Sequence, residues 1–265
     1  MRIAVANWSR REAGGAERYL ARVIPALRDA GHEVALFCEM DAPLDRGPIP
    51  LPEGAPTWSV EELGLAGALD ALRGWRPDVV FNQGVFTPEV EEALQGVADC
   101  VFFAHGYLGT CISGAKSFKR PVVTPCDRRF GWECLLHYYP KRCGGMSPLT
   151  MLRDFRAQRG RRDRLGGYRA IVTNSAHTQS EFARYVDDPS RVHAVPLPVY
   201  TAPAPVEAAP RGAADDGPWR LLFLGRMTSL KGGDVLLDAL PAAAAALDRP
   251  LHVTIAGDGP DIAAW

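Results

Sequence analysis

The sequence predicts an α/β protein built on a parallel sheet that is covered by helices on both faces. Short apolar segments alternate with amphipathic helical segments, tight hairpin turns are rare, and the apolar segments end in polar or glycine-containing loops. In such a sheet, ligands bind beside the carboxyl ends of the strands. This rule selects four segments, which are 9–15, His105-Gly106, Asn174-Ser175 and 225–232.

The individual elements follow from hydrophobic periodicity and from capping residues. Apolar side chains recur at helical spacing over 16–30, and Gly31 terminates that helix. Ser175 can cap the helix that begins at Ala176. The predicted strands are 3–7, 32–38, 78–82, 100–104, 170–173, 192–195, 219–224 and 251–256, and the predicted helices are 16–30, 60–74, 88–95, 150–164, 176–185 and 232–247.

The chain of 265 residues is long enough for two domains. Residues 1–200 are predicted to form the first domain, with an irregular, cysteine-bearing insert at 107–148. A linker rich in Ala, Pro and Asp follows at 201–217. Residues 218–265 contain one βαβ unit, which we interpret as the start of a second domain.

Composition excludes several classes of protein. With 47% hydrophobic and 23% charged residues, the chain is typical of a globular protein and not of a disordered one. No apolar run is long enough to span a bilayer, and the N-terminus lacks the features of a signal peptide. We therefore expect a cytoplasmic protein, whose six cysteines are thiols or metal ligands more often than disulfides.

Positive charge is concentrated between Lys116 and Arg169. This region holds 14 Lys and Arg against 4 Asp and Glu, a local balance of +10 against −11 for the rest of the chain. One interpretation is a solvated helical face. The other is a landing surface for a phosphate-bearing acceptor, or for anionic lipid at the inner face of the plasma membrane. We expect no nucleic-acid partner, because the region lacks the aromatic pattern of known nucleic-acid-binding modules.

Residues 225–232 combine a glycine turn, two cations and the start of a helix. Gly225-Arg226 follows an apolar strand, and Lys231-Gly232 opens the helix. Free N–H groups, the helix dipole and two fixed cations suit a diphosphate, although solvated surface charge is the alternative. The segment is not a P-loop, because Lys231 precedes its glycine and no Ser or Thr follows.

Two candidates lie in the first domain. Gly14-Gly15 follows the first strand and precedes a helix, so that the backbone there can approach a ligand or simply connect the two elements. No G-x-G-x-x-G motif is present. His105 ends a strongly apolar strand, where it is either structural or able to hydrogen-bond a ligand hydroxyl or orient a leaving group.

Four of the cysteines fall within 33 residues of irregular sequence: Cys111, Cys126, Cys134 and Cys143. A structural zinc ion would explain how such a segment stays ordered. The spacing contains no C-x-x-C, so unpaired thiols and redox or disulfide use stay open beside zinc.

Several of these segments together resemble glycosyltransferase family 4. The resemblance covers nearly the whole chain, and its most specific element is Gly225-Arg226 with Lys231-Gly232, in register with a later glycine motif. The matching segments are 14–17 (GGAE), 30–34 (AGHEV), His105-Gly106, 172–182 (VTNSAHTQSEF), 224–232 (LGRMTSLKG) and 255–260 (IAGDGP).

The resemblance implies a GT-B-like architecture, with an N-terminal Rossmann-like parallel sheet domain and the first βαβ unit of a second Rossmann-like domain across a cleft. It implies metal-independent, retaining transfer of a hexosyl group from a nucleotide diphosphate sugar, without a further cofactor. The acceptor would be a glycan, a lipid-linked molecule or a small molecule, as in cell-surface polysaccharide biosynthesis.

The resemblance also implies roles for individual residues. Arg226 and Lys231 would neutralise the departing diphosphate, and His105 would contact the donor sugar. The implied catalytic set is therefore His105, Arg226 and Lys231, and the implied donor-binding set is Gly14, Gly15, Arg226, Lys231, Gly257 and Gly259.

The sequence departs from the family in one respect. Family members continue beyond this length and carry a pair of donor-binding glutamates that have no counterpart here. We therefore expect a C-terminally truncated chain. The alternative to an enzyme is a non-catalytic remnant that still binds a nucleotide or an acceptor.

Overall fold

The structure is a computed structural model that describes residues 1–197 and 217–265. The chain separates into two compact units, Met1–Pro198 and Val199–Trp265. Of the predicted linker, 201–217, all but Gly217 lies outside the described residues. None of the helices in the described part of the chain is both long and apolar enough to span a bilayer.

A seven-stranded parallel sheet forms the centre of the first unit, which confirms the predicted α/β class. The strands are β1 (Arg2–Ser9), β2 (Glu33–Met40), β3 (Thr57–Ser59), β4 (Val79–Gly84), β5 (Asp99–Ala104), β8 (Ala170–Thr173) and β9 (Val192–Ala194). Their order in the sheet is β3-β2-β1-β4-β5-β8-β9. Because β1 pairs with both β2 and β4, the winding of the sheet reverses between β1 and β4.

Helices cover the sheet on both faces. They are α1 (Gly15–Asp29), α2 (Val60–Trp75), α3 (Pro88–Gln95), α5 (Pro148–Arg164) and α6 (Ala176–Ala183). Successive residues of a strand point to opposite faces, so Ala4 and Val5 belong to two different apolar clusters. Helix α1 packs on the Val5 side, and α2, α3 and α6 contribute to the cluster around Ala4.

The insert at 107–148 contains little regular structure. Its elements are the two-residue strands β6 (Ser117–Phe118) and β7 (Thr124–Pro125) and the six-residue helix α4 (Glu133–Tyr138). A small apolar cluster of its own contains Ile112, Phe130, Tyr138 and Cys143. The insert therefore packs around a second, minor core and adds nothing to the main sheet.

The described part of the second unit is the predicted βαβ unit. Strands β10 (Trp219–Leu224) and β11 (Leu251–Ala256) pair in parallel, and helix α7 (Gly233–Leu247) connects them. Gly232 adopts a left-handed conformation with φ of 73° immediately before α7. This conformation favours glycine, because a Cβ is strongly disfavoured there.

Candidate functional site

The reversal between β1 and β4 creates a crevice where the predicted Gly14-Gly15 loop lies. Gly14 is the N-cap residue of α1, and Gly15 is the first residue of the helix. Gly15 is exposed, and a Cβ placed on it would meet no atom within 4 Å. Gly15 thus leaves room for close approach of a ligand at the start of the helix, where backbone N–H groups have no intrahelical partner.

His105 lies two strands away at the same edge of the sheet, directly after β5. Its Nε2 is 2.8 Å from Oε1 of Gln83, which is in the neighbouring strand β4. Its ring packs on Phe103, with 4.5 Å between centroids. Burial lowers the pKa of His105 to about 4, against a smaller opposing effect of Glu17. The imidazole is therefore neutral at physiological pH.

Glu17 is buried beside the Gly14-Gly15 loop. It belongs to the GGAE segment, but it is not among the site residues predicted from the sequence. Its carboxylate is 3% exposed and accepts hydrogen bonds from Trp8 Nε1 at 2.9 Å and Asn7 Nδ2 at 3.3 Å. A Cβ on Gly14 would lie 3.4 Å from its Oε2. The Glu17 carboxylate thus lies beside Gly14, and its negative charge raises the pKa of His105 against the effect of burial. A carboxylate in the first turn of a helix normally indicates a surface residue, so no local signal revealed it.

In the second unit, the loops that follow β10 and β11 run side by side. The N–H of Gly225 donates to the Ala256 carbonyl at 3.0 Å, and the N–H of Met227 donates to the Asp258 carbonyl at 2.9 Å. A Cβ on Gly257 would stand 1.9 Å from the carbonyl oxygen of Gly225.

The same close approach recurs at Gly259, where a Cβ would stand 2.2 Å from the Met227 carbonyl oxygen. Gly257 and Gly259, predicted as donor-binding residues, are therefore required by contact between two backbones. Their assignment to a ligand stays a prediction.

Arg226 and Lys231 flank the short loop that leads into α7. Both side chains are exposed. A single 3-10 turn, Ser229–Lys231, carries the chain to Gly232. The loop is fixed by Asp261, whose Oδ2 accepts from the Ser229 N–H at 2.6 Å. Lys231 lies two residues before the first residue of α7, and Arg226 lies at the start of the same loop. Their role in binding a diphosphate stays a prediction.

The four cysteines of the insert come together in space. Cys111, Cys126, Cys134 and Cys143 all line one cavity of about 20 Å³, and each is a free thiol. Within residues 1–197 and 217–265, no three His, Cys, Asp or Glu side chains stand as a ready-made metal site.

The basic region divides into interior and surface cations. Lys116 and Arg161 are buried and pair with Glu181 at 2.6 Å and Glu91 at 3.7 Å, respectively. Arg164 also pairs with Glu91, at 3.0 Å. These three cations support the fold, so the predicted landing surface can use only the remaining ones.

The exposed face of α5 combines apolar and cationic side chains. Leu149 is 80% exposed and Leu152 is 39% exposed, and Arg153 and Arg156 continue the same stripe at helical spacing. Trp132, which is 67% exposed, lies in the insert next to α4.

The family model for Glycosyltransferase Family 4 matches residues 13–202. The chain therefore belongs to this family, as its motifs indicate. Comparison with curated protein sequences gives no match.

Solved structures confirm the GT-B fold class. HepE from Anabaena, crystallised with UDP, matches with a TM-score of 0.53 at 14% identity, over 98% of this chain and 62% of HepE. The lipopolysaccharide galactosyltransferase WaaB matches at 0.52 and 14% identity, over 100% and 63% of the two chains. A glycosyltransferase from Rickettsia africae matches at 0.54 and 16%, over 97% and 60%. The chain thus spans about three fifths of these structures.

Proposed function

We propose that the protein takes part in transfer of a hexosyl group from a nucleotide diphosphate sugar to a hydroxyl group, with retention of configuration. In this reaction the bond between the sugar C1 and the β-phosphate oxygen breaks. The acceptor oxygen bonds C1 on the same face, and its proton passes to the departing phosphate oxygen. The demand on the protein is stabilisation of the negative charge that develops on the diphosphate.

The observation that carries this proposal is the loop of the second unit. Arg226 and Lys231 are exposed on the loop between β10 and α7, which backbone contacts hold in place. Two cations and oriented N–H groups supply positive charge where a divalent metal would otherwise be needed. The HepE crystal structure contains UDP, which supports a uridine diphosphate sugar as the first donor to test.

The first unit has candidate ligand groups of its own. Gly15 would offer a backbone N–H to an anionic group, and neutral His105 would hydrogen-bond a sugar hydroxyl. A neutral imidazole can accept a hydrogen bond from a sugar hydroxyl, which an imidazolium cannot.

Calorimetry with UDP tests the diphosphate site. We expect R226A and K231A each to weaken binding by about 1–3 kcal/mol, because each removes a charged hydrogen-bond partner. The matched control is R220A, since Arg220 is exposed on β10 in the same unit, six residues before Arg226. Equal UDP affinity in R226A, K231A and the unmutated protein would contradict the assignment.

Release of UDP from UDP-glucose, with and without an added glycan acceptor, tests for catalysis. Turnover that survives a metal chelator would support a metal-independent enzyme. UDP binding without any turnover would favour the non-catalytic alternative.

We further propose that the exposed face of α5 contacts an anionic membrane at its cytoplasmic side, where a lipid-linked acceptor would be presented. Leu149 and Leu152 would enter the interface while Arg153 and Arg156 meet lipid phosphates. Co-sedimentation with vesicles tests this. We expect salt-sensitive binding to phosphatidylserine-containing vesicles and weaker binding to pure phosphatidylcholine. The double variant R153A/R156A should lose this preference, and an unchanged preference would exclude this face.

A further inference from the structure

The insert at 107–148 holds its four cysteines around a single small cavity. Residues from its beginning, middle and end meet there, although up to 32 positions separate them along the chain. The cavity measures about 20 Å³, which is of the order of one water molecule's accessible volume. A space of this size, lined by four cysteines, suits one ion and no larger ligand.

The lining of the cavity includes one hydrogen bond to sulfur and two unpartnered polar atoms. The backbone N–H of Lys116 donates to Cys111 Sγ at 3.4 Å. A donor of this kind stabilises a thiolate in the outer shell of a metal centre. Ser117 is 9% exposed, and within the described residues its Oγ has no hydrogen-bond partner. The same holds for Nε of Arg128, another residue that lines the cavity.

The backbone beside the cysteines also adopts an uncommon conformation. Lys116 and Arg142 have φ values of 51° and 52°, and Arg142 directly precedes Cys143. A left-handed conformation at a non-glycine residue costs free energy and persists only where its surroundings enforce it. Lys116 is also held by its buried pair with Glu181, so the conformation of Arg142, next to Cys143, is the one that a bound ion would help to enforce.

We propose that Cys111, Cys126, Cys134 and Cys143 bind one zinc ion as four thiolates and thereby hold the insert together. The four cysteines line the cavity, but their side chains do not form a metal site in this structure. We expect rotation about the Cα–Cβ bonds to bring the sulfur atoms together when the ion binds. Zinc is the metal that four thiolates in a tetrahedral array favour. A site closed by four protein ligands leaves no position for substrate, so the ion is structural. This inference does not depend on the proposed transferase activity.

Metal analysis of the full chain, purified under reducing conditions, tests the proposal. We expect about one equivalent of zinc per chain. After removal by a chelator, added Co²⁺ should give the visible absorption of tetrahedral cobalt together with near-ultraviolet thiolate-to-cobalt bands. Added Zn²⁺ should abolish both signals.

Substitutions identify the ligands. Each of C111S, C126S, C134S and C143S should lower the zinc content towards zero. The matched controls C38A and C100A remove thiols that are buried elsewhere in the first unit, and both should keep one equivalent. H137A should also keep it, because the imidazole only borders the cavity in this assignment.

Measurements on the unmutated protein test the proposal even if a serine variant fails to fold. Absence of zinc after purification, together with absence of thiolate-to-cobalt bands when Co²⁺ is added to the reduced protein, would overturn the proposal. Loss of zinc in H137A with retention in one cysteine variant would overturn the four-thiolate ligand set. Disulfides found by mass spectrometry under native, non-reducing conditions would assign the cluster to redox use instead.

Discussion

The neutral state of His105 makes stability depend on pH in a way that can be measured. The pKa of the imidazole is lowered from 6.5 to about 4 by burial, so the folded protein favours the neutral form. The resulting contribution to stability is complete above pH 6.5 and is lost as the pH falls towards 4. Each pKa unit of difference between the folded and unfolded protein corresponds to about 1.4 kcal/mol. The full loss therefore amounts to about 3 kcal/mol of unfolding free energy.

Two variants separate this effect from the general acid sensitivity of the protein. H105F keeps an aromatic ring against Phe103, and H105Q keeps a polar partner for Gln83, but neither titrates. Urea denaturation between pH 6.5 and pH 4 should give a steeper fall in unfolding free energy for the unmutated protein than for either variant. The difference between the curves should approach about 3 kcal/mol at the acid end.

Nuclear magnetic resonance gives an independent measurement of the same quantity. The ring protons of His105 should titrate near pH 4 in the folded protein. In E17Q the midpoint should fall further, because the Glu17 carboxylate favours the imidazolium. Parallel stability curves for all variants, or a ring that titrates near 6.5, would refute the argument that burial keeps His105 neutral.

Three further variants test other parts of the structure. G257A should destabilise the second unit by more than about 1–3 kcal/mol, because φ of 147° disfavours any side chain and the new Cβ meets backbone. G15A should leave the thermal midpoint within error, since its Cβ enters open space, yet weaken UDP binding if the loop contacts the diphosphate. K116M should cost about 1–3 kcal/mol in urea denaturation, because the buried Glu181 loses one charged partner and keeps Arg184. Its control R73A removes an exposed ion pair and should cost less than about 1 kcal/mol. Equal losses in K116M and R73A would show that the buried pair has no special weight.

The sequence predicted the sheet and its helices well because burial imposes a period on them. Helix α3 and strand β8 match their predicted bounds to the residue. Strand β3, Thr57–Ser59, was missed, because three residues at a sheet edge after a Pro- and Gly-rich loop show no period. Ser175 does cap α6, accepting from the Thr178 N–H at 3.2 Å, since that signal is local.

Buried polar side chains were the part that sequence could not predict. Lys116 and Arg161 were counted with the basic surface, but their partners Glu181 and Glu91 lie 65 and 70 positions away along the chain. Only the fold brings such residues together. A count of charges along the sequence therefore cannot distinguish these buried cations from surface cations. The burial of Glu17 was also not predicted, because its partners Asn7 and Trp8 come from β1 and not from its own helix.

The glycines of the second unit show why a motif match does not by itself identify a ligand contact. Gly257 belongs to a motif that suggests donor binding, but its Cβ would overlap the backbone of Gly225 whether or not a donor binds. Loss of UDP binding in G257A would therefore report a displaced loop as readily as a lost contact. Gly15 has open space around it, so a loss of affinity in a stable G15A has one explanation, which is contact with the ligand. Arg226 and Lys231 are equally informative, because they are exposed and their removal leaves the crossing backbones intact.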